Sequence, residues 1–488
     1  MKQAAETLTR CVRVAGGGMA ALVLLSLASM TGWAIGATRP ISLHPENPHD
    51  FLFRGKPTVL ISSTEHYGAV MNQAFDYVLY LNTLHACGLN LTRVFSGAYE
   101  ETPDSFNIVQ NTLAPRPGSF RCPWARSLTA GYANGGNKFD LTKWDEDYFA
   151  RLKDFVAQAG RRGIVVEMVL FCPYYKDEQW NLSPLKASNN IHGVGDVDRT
   201  AANTLQNGKL LAVQDALVRK IVTELKDFDN LYYEICNEPY FGGVTADWQA
   251  HIASTIRETE AAFPYKHLIA QNIANGSKKI ENPSPAVSIF NFHYATPPVT
   301  VGMNYGLNKV IADDETGFKG TDDRPYRTEG WDFIIAGGAI YDNLDYSFTV
   351  GREDGTFAFP KTQPGGGGPT LRRQLKILAD FINGVDFVKM KPDNSVIRDG
   401  VSSPVTARAL VQAGKAYAIY IRGGMGRITL TLNLPKGRYR AEWLNPRTGQ
   451  IEQRQRFTHP GGPLRLAPSP EYSEDIALRI SRRTAIGR

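Results

Sequence analysis

Short runs rich in β-branched and aromatic residues alternate with helix-period stretches from residue 58 to about residue 390. The strand-like runs are Thr58–Ser63, Leu89–Phe95, Ile164–Phe171, Leu231–Glu238, His267–Gln271, Val287–His293, Val310–Glu315 and Gly337–Tyr341. Helical stretches lie between them, among them Gln73–Cys87, Trp144–Arg162, Leu210–Lys226 and Asp247–Phe263, with a last helix from Thr370 to Phe387. The first two stop at Gly88 and Gly163, as helix C-termini do. Such alternation predicts βα units on a parallel sheet. Eight repeats fit an α/β fold closed as a (β/α)8 TIM barrel better than an open sheet. Phe51–Pro57 reads as a small hairpin capping the barrel bottom. The segments 96–139, 172–209 and 342–369 read as long loops, and the Pro364–Pro369 glycine run as a flexible one.

The pattern changes near residue 400. Ala407–Gln412, Ala416–Ile421, Ile428–Leu434 and Gly437–Trp443 are short strand-like runs separated by Gly, Pro and Asn. Arg427–Leu434 alternates with period two, as a half-buried strand does. The expected organisation is therefore a catalytic barrel over 38–395, a small all-β sandwich over 396–480, and a frayed basic tail over 481–488.

The first 37 residues carry a different signal. Lys2, Arg10 and Arg13 precede an apolar run from Val14 to Ala37, with small residues Ala34, Gly36 and Ala37 at its end. This is the layout of a signal peptide, or, if uncleaved, of a membrane anchor. Either makes the expected location exported: periplasmic, secreted or cell-surface. A net charge of +6, with no basic block interleaved with aromatics, argues against a nucleic-acid partner. No glycine-rich phosphate loop follows the first strand, and Cys87, Cys122, Cys172 and Cys236 show no zinc spacing, so neither a cofactor nor a metal is expected. Cys172 and Cys236 end neighbouring strands and read as buried free thiols.

The strongest chemical signal is Tyr232-Tyr-Glu-Ile-Cys-Asn-Glu-Pro239, an apolar strand ending in Asn237-Glu238 and stopped by proline. Side chains at the C-terminal ends of barrel strands face the active site, which places Glu238 where a carboxylate can act. A carboxyl acting as general acid calls for a second carboxylate as nucleophile or base. Val310-Ile-Ala-Asp-Asp-Glu-Thr-Gly-Phe318 supplies Glu315 at the end of the seventh strand, with Asp313, Asp314 and Glu329 as rivals. Strand alternation puts Asp313 on the face of Glu315 and turns Asp314 away. Glu234 also faces inward and reads as a structural carboxylate. His66, in the Glu65-His66-Tyr67 cluster after the first strand, is a candidate for sugar hydroxyls, and Trp331 for a stacking platform. Trp124, Trp180 and His192 sit in the long loops as further subsite candidates.

The Asn-Glu-Pro strand end and the strand-seven glutamate resemble those of clan A glycoside hydrolases, particularly glycoside hydrolase family 5, the cellulase family. The resemblance covers roughly residues 55–390. It implies a retaining glycosidase acting on a carbohydrate, with Glu238 as general acid/base, Glu315 as nucleophile and Asn237 binding the sugar 2-hydroxyl. It further implies that Arg93 supports the nucleophile, and that His293 and Tyr294 bind around it. The family spaces its His and Tyr by one residue. Here they are adjacent, so a regular strand points only one of them inward. The competing expectation is a carbohydrate-binding or cell-surface protein without catalysis.

Overall fold

The computed structural model describes residues 39–483; the leader read from residues 1–37 and the end of the basic tail lie outside them. Eight parallel strands form one sheet: Leu60–Thr64, Leu91–Phe95, Val165–Phe171, Leu231–Cys236, Ile269–Asn275, Ile289–His293, Val310–Glu315 and Ile340–Leu344. They neighbour one another in chain order, as in a TIM barrel. Strands one and two share no regular ladder. Asn90 spans their seam instead: its Oδ1 accepts from Ile61 N at 2.8 Å and its Nδ2 donates to Val59 O at 2.9 Å. Nearly every strand residue is buried, which is why these runs are continuously apolar rather than alternating.

The helices close the outside. Glu146–Arg161 starts at Asp145, whose carboxylate accepts from Tyr148 N at 3.0 Å, and ends before Gly163 at φ +71°. Its buried stripe of Tyr148, Phe149, Leu152, Phe155, Val156 and Ala159 recurs at three- and four-residue steps. The expected hairpin is present as Phe51–Phe53 and Lys56–Thr58, joined by Ser42–Leu43. Ile41, Phe51 and Phe53 pack on Leu60, Leu91, Val165 and Tyr232, plugging the end of the barrel opposite the site.

The connections hold more structure than their lack of period suggests. Segment 96–139 contributes to a two-stranded ribbon, Trp124–Ala130 with Asn137–Trp144, whose irregular register hides its period. A helix, Asp323–Ile335, occupies a stretch that shows no clear period because almost every residue from Tyr326 onward is buried. The glycine run is in close contact with its surroundings. Gly365 lies against the carbonyl of Gly317, where a Cβ would meet that oxygen at 1.7 Å, and Gly368 N donates to Asp345 Oδ1 at 2.9 Å.

The C-terminal region is all-β, a six-stranded antiparallel sheet facing a three-stranded one. Its last strand, Tyr472–Arg482, lies in the middle of the larger sheet between Ala416–Gly426 and Gly437–Leu444. Ser481 is therefore paired on both sides, and Arg482 pairs with Tyr439 and donates to Lys415 O at 2.7 Å, rather than being frayed as expected. Trp443 is core. This region is fixed to the barrel by Arg327, which reaches Asp475 with two 3.0 Å bonds, and by Arg408 and Arg422 on Asp332. Among the described residues no helix is long and apolar enough to cross a membrane.

Candidate active site

Glu238 follows the fourth strand and Glu315 ends the seventh, and both line one cavity of about 540 Å³ at the C-terminal mouth of the barrel. A carboxylate oxygen of each, and a nitrogen of His293, lie within 4.8 Å of one another. Both glutamates are buried.

Glu315 is surrounded by donors. Tyr67 Oη donates to Oε2 at 2.8 Å and Arg93 Nη1 to the same oxygen at 3.2 Å. Tyr294 Oη donates to Oε1 at 2.7 Å, and His293 Nδ1 lies 3.3 Å from it. Burial alone would raise the pKa of this carboxyl. The His293 cation, Arg93 and the Tyr294 hydrogen bond outweigh burial and hold it well below the usual carboxylate range. His293 is the mirror case. Burial would lower it, but Glu315, Asp314 and Glu238 push it well above an ordinary histidine.

His293 and Tyr294 both reach the carboxylates despite being adjacent. The strand ends at His293, and Tyr294 adopts φ +54°, which turns its ring back toward Glu315. The seventh strand breaks alternation as well. Its register against the sixth slips after Phe292–Asp313, so His293 pairs with Glu315. Asp314 consequently points inward, accepting from Asn291 Nδ2 at 2.8 Å and lying 3.3 Å from Arg93 Nε. Asp313 accepts from Ala295 N at 3.3 Å and has Glu329 as its largest charged neighbour. The expected orientations of the two aspartates are thus reversed by one bulge. Glu329 sits on the Asp323–Ile335 helix, bound to Thr316 and Lys319, and does not line the cavity.

Beneath the glutamates Arg93 is fully buried and also meets Glu234, Glu167 at 3.4 Å and Asn237 Oδ1 at 2.9 Å. It therefore ties the strand-four Asn to the strand-seven Glu. Burial and the neighbouring Arg93, His293, Glu234 and Glu315 charges leave the Asp314 pKa raised to about 7.

Glu238 has its own partners. Tyr175 Oη donates to Oε2 at 2.6 Å while accepting from Asn237 Nδ2 at 3.0 Å. Tyr240 Oη lies 3.2 Å from Oε1 and 2.5 Å from Asn275 Oδ1. Glu238 itself sits at φ +35°, an uncommon setting for a residue with a Cβ, and one that turns the side chain into the cavity.

Of the expected site residues, Glu238, Glu315, Asn237, Tyr294 and His66 line the cavity, with Arg93 and His293 directly behind. Trp331 does not. It is fully buried on the outside of the barrel, against Phe381 and Tyr420, because its helix is where the β-region docks. Trp124 stacks on Trp144 in the ribbon, Trp180 donates to Val197 O at 2.9 Å, and His192 pairs with Asp140 at 2.8 Å, so none of the three lines the cavity. Cys172 and Cys236 are buried free thiols. Tyr175, Tyr240, Glu101 and Phe106 escaped sequence reasoning. They lie in loops without periodicity, and only their short distance after a strand end marks Tyr175 and Tyr240.

A carboxylate pair at the mouth of a (β/α)8 barrel, one charged and ringed by donors, defines a glycosidase. Residues 118–316 match the family model described as Cellulase (glycosyl hydrolase family 5). Solved structures share the fold. A Bacteroides vulgatus protein described as a glycoside hydrolase is 16% identical, aligned over 91% of this chain and 82% of its own, with a TM-score of 0.65. A family 5 glycoside hydrolase from the same organism is 14% identical over 91% and 93%, with a TM-score of 0.60. No curated protein matches the chain in sequence.

Proposed function

We propose that this chain is an exported glycosidase that retains anomeric configuration, with Glu315 as nucleophile and Glu238 as general acid/base. The observation that carries the reading is the approach of their carboxylate oxygens to within 4.8 Å. Inverting enzymes need about 6.5–9.5 Å to admit a water between the two groups. Glu315, kept ionised by four donors, attacks the anomeric carbon while Glu238 protonates the departing oxygen.

Glu238 is bounded by Tyr175, by Tyr240 and by His293, whose Nδ1 lies 3.1 Å from Oε1. Tyr240 has a single proton, and the 2.5 Å bond to Asn275 Oδ1 takes it. Tyr240 Oη also stands 3.2 Å from Glu238 Oε1, within reach of the proton that a general acid carries. After the glycosyl–enzyme ester forms, Glu238 has lost that proton and takes another from the water that hydrolyses the ester. Arg93 and His293 fix the charge and position of Glu315, and Asn237, held between Arg93 and Tyr175, is oriented toward the sugar beside it.

The leader-like residues Val14–Ala37 support export. The test of mechanism is the anomer released first, followed by proton NMR on a 4-nitrophenyl glycoside that the enzyme hydrolyses. The same anomer as the substrate is expected; the opposite anomer would contradict the double displacement.

A further inference from the structure

The loops around the cavity are unequal on its two flanks. On the Glu238 flank the cavity opens past Phe241 and Asn275. On the Glu315 flank it is crossed twice. Phe106, in the loop after strand two, meets Phe318, in the loop after strand seven, ring to ring with centroids 6.4 Å apart. The strand-two loop is also tied to the loop after strand eight: Val109 N donates to Gln363 Oε1 at 2.9 Å, and Gln363, itself buried, returns a bond to Val109 O at 3.5 Å. Gly365, two residues on, lies on Gly317 of the strand-seven loop. The loops after strands two, seven and eight therefore join into one wall over the end of strand one.

The strand-two loop is built for this position. Phe106, Asn107 and Gln110 all take positive φ, of 56°, 59° and 60°. Such backbone is costly for residues with a Cβ and persists only where its contacts hold it. Phe106 also packs edge-on against Tyr175, the partner of Glu238, with centroids 5.2 Å apart.

Behind the wall lies a polar end. Glu101 accepts from Asn111 Nδ2 at 2.5 Å, and Asn111 Oδ1 lies 3.0 Å from His66 Nδ1. An amide oxygen can only accept, so His66 Nδ1 carries the proton and Nε2 is left as an acceptor. His66 and Glu101 both line the cavity and present acceptors to hydroxyl groups there.

We propose that this enzyme acts on chain ends: the Glu315 flank is a blind pocket for the non-reducing terminal sugar, whose hydroxyls His66 and Glu101 receive. The inference rests on the assignment of Glu315 as nucleophile and Glu238 as acid. The nucleophile attacks the anomeric carbon of the glycone, and the acid serves the oxygen that departs with the rest of the chain. The glycone therefore lies on the closed flank and the leaving group on the open one. A sugar inside a chain would need a further unit to pass through the Phe106–Phe318 and Val109–Gln363 crossings.

The test uses the full chain with a panel of 4-nitrophenyl glycosides, then oligosaccharides of the glycones hydrolysed, labelled at the reducing end with 2-aminobenzamide. Each oligosaccharide is compared with a copy whose terminal sugar is capped as a 4,6-benzylidene acetal. Labelled products should shorten by single units from the far end, and capping should abolish hydrolysis. Gln363→Ala, which cuts the loop tie and touches no candidate catalytic residue, should restore hydrolysis of the capped chain. Labelled mid-length fragments as first products, or equal rates on capped and uncapped chains, would overturn the chain-end proposal while leaving the glycosidase intact. Hydrolysis with the opposite anomer released would instead strike at the mechanism on which it rests.

Discussion

Trp331 lies face to face with Tyr420, their ring centroids 5.4 Å apart and their planes 22° apart. One ring belongs to a barrel helix and the other to the large sheet of the β-region, so the stack joins the two parts of the chain. Beside it Arg327 and Asp475 form a buried ion pair to which the Tyr420 hydroxyl also donates, at 3.0 Å. Trp331→Ala should cost about 3–5 kcal/mol of stability, the usual loss for a buried aromatic. The KM for a small glycoside should not change. Denaturant unfolding and steady-state kinetics check this together; a raised KM with unaltered unfolding would return Trp331 to the sugar-binding surface.

Four donors converge on Glu315, and two are phenols that can be deleted without changing shape. Tyr67→Phe and Tyr294→Phe should each lower kcat/KM by about 10- to 100-fold, as loss of a hydrogen bond to a charged group of about 1.5–3 kcal/mol implies. The pH profile gives the sign. Glu315 is held below its ordinary range, so it stays ionised as pH falls and the acid limb of kcat/KM lies below the normal glutamate value. Removing a donor raises that pKa, and the acid limb should move to higher pH in both variants. An unmoved limb would place the donors' effect elsewhere.

Tyr240 distinguishes the two glutamates. Tyr240→Phe removes the hydroxyl beside Glu238 Oε1 and leaves the Glu315 donors in place. Hydrolysis of a glycoside with a poor alkyl leaving group should slow by about 10-fold, whereas a dinitrophenyl glycoside, which needs little protonation, should barely respond. Equal losses on both substrates would argue against a role in holding the acid's proton.

The barrel was legible in the chain because its strands are buried on both faces and its helices carry clean apolar stripes, as in Glu146–Arg161. Glu238 and Glu315 were legible because each closes a strand. What escaped depends on departures from regular backbone. The bulge at 313–315 exchanged the directions of Asp313 and Asp314, and positive φ at Tyr294 let two adjacent residues face one carboxylate. Trp331 was misplaced because a helix buried nearly all round has no amphipathic stripe to reveal it. Tyr175, Glu101 and Phe106 lie in loops whose courses are set by contacts distant in sequence, such as Val109 with Gln363.

The central claim is that Glu315 is the nucleophile, and chemical rescue tests it most directly. Glu315→Gly should have no measurable turnover on a dinitrophenyl glycoside, and added azide should restore it, yielding a glycosyl azide of inverted anomeric configuration. Activity that survives the substitution, or rescue that returns an azide of the same configuration as the substrate, would contradict the account.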